Sequence, residues 1–382
     1  MIIGIDGRII YKRGVGRYIA NLIKRLLETD KKNRYIIYLD KNSSLNEIIR
    51  AKNVKFRRLF TSNAFYYEQF LLPLAAAGDK VDVLHGTDNT LPCLFPMKCR
   101  KAVTIHDAMH IRPLKKVIAK PTIKQRMTDI YNKIFIPMSA RKADAVITVS
   151  DYSKSDIVKY IGVNEDKVFS IKEGIDPKYK IVSSEKKINR VKEKYGITKK
   201  YIFMSAASDT RKNTIRSLEA FNIFNNLTEY SYQLVITSIG GKEMATTNVM
   251  KKIRELNLEK YIVITGYVSD DDMILLYNGA FMFLFPSIWE GFGLQILEAF
   301  ACGTPVVTSD NTSLKEIAGS AAEFIDPFSV EDIVGGMMAI HKSAAKRKSL
   351  VKKGAERVSG FSWKTTAQQT LRVYEEITGR EK

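Results

Sequence analysis

The chain has 382 residues, 45% of them hydrophobic, with 61 Lys and Arg against 41 Asp and Glu, a formal net charge of +20. That length suggests about two domains, with apolar residues enough for a core in each. No run approaches the ~20 apolar residues of a membrane span, "MIIGIDGRII" meets Asp6 and Arg8 too early for a signal peptide, and Cys93, Cys99 and Cys302, odd in number and without metal-ligand spacing, fit a reducing cytosol.

In chain order, "IIGID" (2–6) reads as a strand, followed by "KRGVGRYIANL" (12–22) with Gly14 and Gly16 before a helix. This is not the dinucleotide fingerprint, because Ile19 holds the third glycine position, so a flexible turn and a ligand loop are equal readings. The helix spans 16–30, with Tyr18, Ile19, Leu22, Ile23, Leu26 and Leu27 on one face. Further strands are expected at 34–40, 81–85, 101–106 and 143–150. Runs apolar on both faces belong to parallel sheets covered by helices. His85 and His106 both end strands, and His106 precedes Asp107. "HDAMH" imitates a two-histidine zinc motif, but that motif needs a helix, and here a strand precedes His106 and Pro113 follows His110.

Residues 112–142 carry nine Lys or Arg and one acid, Asp129, interleaved with apolar residues, and 62–77 form an aromatic-rich stretch. A basic face of this kind meets an anionic bilayer, or it packs as a core helix with a solvated lysine side. The charged segment 177–200 reads as a linker with a surface helix. The strand–helix alternation then restarts, with strands expected at 201–207, 233–239, 261–267, 280–287 and 304–310. Two doubly wound Rossmann-like α/β domains facing across a cleft follow from this layout, and open sheets of this kind bind ligands at the carboxyl ends of their strands.

Two such ends carry chemistry. In "SAASDTRKNTIRSLEAF" (205–221), Arg211 and Lys212 follow a strand, either as an exposed basic turn or as cations for a departing phosphate. In "WEGFGLQILEAFACGTPVV" (289–307), Gly291 and Gly293 sit where a strand end meets a helix start. Side-chain-free backbone there admits an anion, phosphate being the usual one. Glu298 is the sole charge on that helix, and a buried unpaired carboxylate would cost several kcal/mol. A salt bridge, a backbone cap or a ribose diol would supply partners. Glu290 lies on the loop, either exposed or reaching what the phosphate carries.

The block 268–327, together with 146–163 and 361–377, resembles the family 4 glycosyltransferases, nucleotide-sugar enzymes of the GT-B fold whose signature is a glutamate-x7-glutamate pair. The resemblance implies that Glu298 holds the ribose, that Glu290 contacts the donor sugar, and that the backbone of Phe292, Gly293 and Leu294, with Val268, meets the sugar diphosphate. It assigns Lys212 to the phosphates, helped by Arg211. His106 and Asp107 face the donor sugar, His85 lines the acceptor side, and the Gly14–Gly16 loop closes over the phosphates or positions the acceptor. Many relatives carry an arginine six residues before the lysine, where this chain has Ala206.

The implied organisation is an acceptor domain over 1–180, completed by a C-terminal helix at about 366–382, and a donor domain over 195–365. The implied activity is retaining transfer of a hexose from GDP-mannose or a UDP-sugar to a saccharide or lipid-linked acceptor. It needs no metal and no cofactor, the nucleotide sugar being a substrate. The expected setting is cytoplasmic, with an anionic membrane surface as a further partner. The alternatives are a glycoside hydrolase using Glu290 and Glu298, an inactive GT-B relative, and a nucleic-acid binder prompted by the charge. The last lacks any recognition motif, and its aromatic residues are expected mostly in strand and helix cores.

Overall fold

The computed structural model describes residues 1–11, 14–41, 43, 51–112, 123–205, 210–237 and 248–380. They form two compact units. One ends at Gly174 and takes back the chain from Phe361 onward, and the other spans Ile175–Gly360.

The first unit has a parallel sheet of β1 (Ile2–Asp6), β2 (Arg34–Leu39), β3 (Val54–Arg58), β4 (Val83–Gly86), β5 (Arg100–Thr104), β6 (Ala145–Thr148) and β7 (Val168–Ser170), in the order β3-β2-β1-β4-β5-β6-β7. The second has β8 (Lys200–Ser205), β9 (Tyr232–Thr237), β10 (Ile262–Gly266), β11 (Met282–Phe285), β12 (Val306–Ser309) and β13 (Glu323–Ile325), in the parallel order β10-β9-β8-β11-β12-β13. Strand order therefore reverses beside β1 and β4 in one unit and beside β8 and β11 in the other. A crevice opens at such a reversal, at the carboxyl ends of the strands.

The strands absent from the sequence reading are β3, β7 and β13, and all three are sheet edges. An edge strand faces apolar neighbours on fewer sides, so "VKFRR" and the three-residue β7 and β13 carry no continuous apolar run. The first helix, Val15–Thr29, buries the six apolar residues of its expected face. Each aliphatic one contributes roughly 1.5–3 kcal/mol by leaving water.

The C-terminal helix, Trp363–Ile377, belongs to the first unit, where it buries Trp363, Ala367, Val373 and Tyr374. Thr366 Oγ1 donates to the carbonyl of Lys172 (2.8 Å). The same helix explains His85. Its ring lies fully buried between Tyr374 OH (2.6 Å from Nδ1) and Thr104 Oγ1 (2.7 Å from Nε2). This corrects the expectation that His85 lines the acceptor side: it is a core residue that ties the returning helix to the sheet.

Burial, with His106 nearby, pushes the His85 pKa down from 6.5 to about 3. Its neutral form therefore stabilises the fold fully above pH 6.5. That contribution is withdrawn as pH falls toward 3, at about 1.4 kcal/mol per pH unit. Between pH 7 and pH 5, urea denaturation is expected to show the wild type losing about 2 kcal/mol more than His85→Asn, which has no proton to gain. Equal losses would contradict the buried-histidine reading.

Candidate active site

The site residues of the second unit gather where β8 and β11 end. β11 is wholly apolar and buried, and Ser287–Gly293 turns from it into the helix Leu294–Ala301. Gly293 caps that helix at φ 101°, with no side-chain hydrogen bond to the first turn. A Cβ there would stand 2.7 Å from Leu314 Cδ2. Gly293→Ala is therefore expected to cost about 1–3 kcal/mol in chemical denaturation, from positive φ and crowding together. An unchanged midpoint would contradict this geometry.

Lys212 ends a tight turn at Thr210–Lys212, just before the helix Thr214–Leu227, which starts from Asn213 at φ 57°. Its Nζ is 2.8 Å from Glu290 Oε1 and lies over the Phe285 ring at 4.6 Å from the centroid. Ser287 Oγ has three acceptors in reach, and its single proton is best directed to the nearest, Glu290 Oε1 at 2.6 Å, rather than to the carbonyls of Arg211 (3.0 Å) or Trp289 (3.2 Å). The amide of Ile288 donates to the Arg211 carbonyl (2.8 Å), stitching the two loops together. From the next strand and its following helix, Ser309 Oγ donates to the Ser287 carbonyl (2.7 Å), and Ser313 Oγ reaches the carbonyls of Glu290 and Phe292.

Lys212 and Glu290 are 9% and 8% exposed, so neither is the exposed loop charge that composition alone allowed. Burial by itself would raise the Glu290 pKa. Attraction from Lys212 and Arg211, with hydrogen bonds from Lys212 and Ser287, overrides it and holds the carboxyl below its usual range.

Glu298 is buried one turn inside the helix, and its Oε2 accepts from Tyr277 OH (3.1 Å). Tyr277 is itself fixed by Thr304 Oγ1, which donates to its carbonyl (2.6 Å). The carboxylate thus has a protein donor that the sequence reading did not name. Val268 and Phe292 are buried. Leu294 is half-buried at the helix start. Arg211 neighbours the pair and adds positive charge to it. Ala206 lies outside the described residues.

In the first unit, His106 follows β5. Its amide donates to Asn89 Oδ1 (2.8 Å), and its Nε2 lies 3.1 Å from the Thr87 carbonyl. A carbonyl only accepts, so Nε2 carries the proton and Nδ1 is left as an acceptor. Burial lowers the pKa of this histidine, against the Thr87 hydrogen bond and nearby Asp88 and Asp107, which keeps it neutral. Its ring meets Tyr18 edge-on at 4.9 Å. Asp107 Oδ1 accepts from the Met109 amide (2.9 Å) and closes a local turn.

His110 turns to Asp129 at 3.2 Å, away from the partners of His106. Among the described residues, no group of three or more His, Cys, Asp or Glu is placed to hold a metal ion. Gly14 has φ 72° at the helix start. Gly16 has a packing reason of its own, because a Cβ would stand 2.5 Å from the Ile9 carbonyl oxygen.

Residues that sequence reasoning missed are Ser287, Ser313 and Tyr277. Ser287 had a signal, standing at a strand end directly before "IWEG". Tyr277 had none, being one of 18 tyrosines.

A pair of parallel-sheet Rossmann-like units, one with a cation and a carboxylate at its crevice beside a side-chain-free helix start, defines a GT-B enzyme. Residues 12–179 match the family model described as Glycosyltransferase Family 4, and residues 185–357 match that described as Glycosyl transferases group 1. The chain belongs to the family 4 glycosyltransferases and is a transferase. It is 29% identical over 380 residues to the O-antigen chain mannosyltransferase B of Escherichia coli, covering 94% of this chain and 95% of that protein. The fold matches the sucrose-phosphate synthase of Thermosynechococcus elongatus with TM-score 0.77 at 16% identity, over 100% of both chains. It matches Anabaena HepE in complex with UDP-glucose with TM-score 0.73 at 14% identity, over 98% of this chain and 100% of that one.

Proposed function

We propose that the chain transfers a hexose from a nucleotide sugar, with retention of anomeric configuration, to a saccharide or lipid-linked acceptor in polysaccharide or glycolipid assembly. The observation that carries this reading is the buried Lys212–Glu290 pair, braced by Ser287, at the strand-order reversal beside the Gly293 helix start. Departure of a nucleoside diphosphate concentrates negative charge on its phosphates. A preorganised ammonium and the helix's first N–H groups stabilise that charge as it develops. Glu290 orients Lys212 and meets the sugar, Glu298 accepts from the ribose hydroxyls, and His106 Nδ1 accepts from a substrate hydroxyl. Arg211 adds charge near the phosphates, and Lys212 does the work that a divalent metal does in other transferases.

GDP-mannose is the first donor to try, on the mannosyltransferase relative, and UDP-sugars the second, on the UDP-glucose complex of the HepE neighbour. The enzyme is read as cytoplasmic and peripheral to the membrane. Among the described residues no helix is long and apolar enough to cross one. A hydrolase using the two glutamates would leave the Lys212 cation and the Gly293 helix start without a role, and nucleotide dependence separates the two readings.

Release of free nucleotide from GDP-mannose and UDP-sugars, followed by chromatography with and without excess EDTA, tests the reading. Release from one donor class, unaffected by EDTA, is expected, with the product anomer read by NMR. Cleavage of glycosides without any nucleotide would overturn it.

A further inference from the structure

The turn that follows β12 breaks two local rules at once. Thr312 has φ 55°, in the left-handed region. Gly or Asn suits that region, and a β-branched side chain there is a genuine outlier. Such strain persists only where the surrounding structure over-determines it. Beside it, the shielded oxygens Asn311 Oδ1 and Thr312 Oγ1 have no hydrogen-bond partner among the described residues. Buried polar atoms are almost always paired, so this turn is not arranged for its own stability.

Its contacts run instead to the loop that carries Glu290. Ser309, Asn311 and Ser313 stand at every second position, and each sends its side chain to that loop's backbone. Ser309 Oγ donates to the Ser287 carbonyl (2.7 Å), and Asn311 Nδ2 to the Ile288 carbonyl (3.3 Å). Ser313 Oγ lies 2.9 Å from the Glu290 carbonyl and 3.0 Å from that of Phe292. Ser309 and Ser313 are fully buried, so water does not compete for these contacts. Thr312 sits between Asn311 and Ser313, where the strand direction of β12 gives way to the helix Thr312–Ala318. Leu314, in the first turn of that helix, crowds Gly293 from the same side.

A trans peptide sets its C=O and N–H on opposite sides. With the Phe292 carbonyl turned to Ser313, the Gly293 amide is turned the other way. Gly293 opens the helix whose start is read as meeting the departing diphosphate. The Glu290 carbonyl, reached by the same hydroxyl, fixes the residue whose carboxylate holds Lys212 at 2.8 Å. We propose that Ser309, Asn311 and Ser313, hung on the strained Thr312 turn, form a clamp that aims the Gly293 amide and the Lys212–Glu290 pair at the charge developing on the leaving group. They are positioning residues, which act on the transfer through the loop, and preorganisation of this kind removes the cost of reorienting dipoles during the reaction. The proposal rests on the transferase reading.

Two readouts on wild type, Asn311→Ala and Ser313→Ala test it, with thermal unfolding as a check on each protein. They are amide hydrogen exchange by mass spectrometry, and nucleotide release from GDP-mannose or a UDP-sugar, whichever the wild type uses. In Ser313→Ala, exchange over 287–293 is expected to rise ~10-fold while the interior strand β9 keeps its wild-type rate. Its kcat is expected to fall ~10–100-fold with the donor KM within ~3-fold, because poor aim weakens binding of the transition state rather than of the donor. Asn311→Ala, which loses one longer contact, is expected to lose ~3–10-fold in kcat, and it carries the same two readouts if Ser313→Ala does not fold. A serine that serves stability alone would lower the unfolding temperature and leave kcat of the folded enzyme unchanged. That result, unchanged exchange over 287–293, or a loss confined to KM would each overturn the clamp. A wild type that releases nucleotide from no donor would overturn the transferase reading itself, and the role in transfer with it.

Discussion

Lys212→Met is expected to lower turnover by about 10²–10³-fold, the usual loss when one preorganised group is removed from developing charge. It should also cost about 3–5 kcal/mol of stability, because Glu290 is left buried without its cation. The two effects separate in a double variant. Lys212→Met/Glu290→Gln removes the charge imbalance, so most of the stability should return while turnover stays low. Urea denaturation and initial rates on the same four proteins provide the cycle. Turnover within ~10-fold of wild type in Lys212→Met would show that leaving-group charge is held elsewhere, for example by the helix start at Gly293.

Glu298→Ala is expected to weaken nucleotide binding by ~10–100-fold, the value of one or two hydrogen bonds to a charged acceptor. Tyr277 supplies the control. If Glu298 serves only to hold that tyrosine, Tyr277→Phe should reproduce the whole loss. If Glu298 accepts from a ribose, Tyr277→Phe should cost about 1 kcal/mol of stability and leave nucleotide affinity within ~3-fold. Calorimetric titration with the preferred nucleoside diphosphate distinguishes the two. Equal losses in both variants would return Glu298 to a structural role.

The central strands could be read in advance because a strand buried on both faces is apolar throughout, as "MFLF" and "AVIT" show. Three of the four edge strands could not, since half-exposed backbone tolerates Lys55, Arg57 and Arg58 in β3, whereas the edge strand β10 keeps an apolar run and was expected. The first helix was readable from its 3.6-residue apolar period. The π turn at Tyr67–Leu71 was not, because it depends on a buried partner, Arg8, 60 residues away. The same limit governs the candidate site. Lys212, Glu290 and Glu298 stood out as charges beside strand ends and apolar runs. Their pairing did not, since Lys212 and Glu290 meet across 78 positions only after β8 and β11 have paired. His85 and His106 looked alike as strand-end histidines. Only the returning helix, through Tyr374, made one a core residue, while the Thr87 carbonyl set the acceptor nitrogen of the other.

The claim that the crevice of the second unit is a nucleotide-sugar site is tested most directly by thermal shift of the wild type with GDP, UDP, ADP and TDP in the presence of EDTA. Binding at 100 times Kd adds about 2.7 kcal/mol to the folded state, enough to raise the unfolding temperature by a few degrees. Stabilisation by one nucleotide, retained in EDTA and lost in Glu298→Ala, is the expected result. No shift with any of the four at millimolar concentration would contradict it.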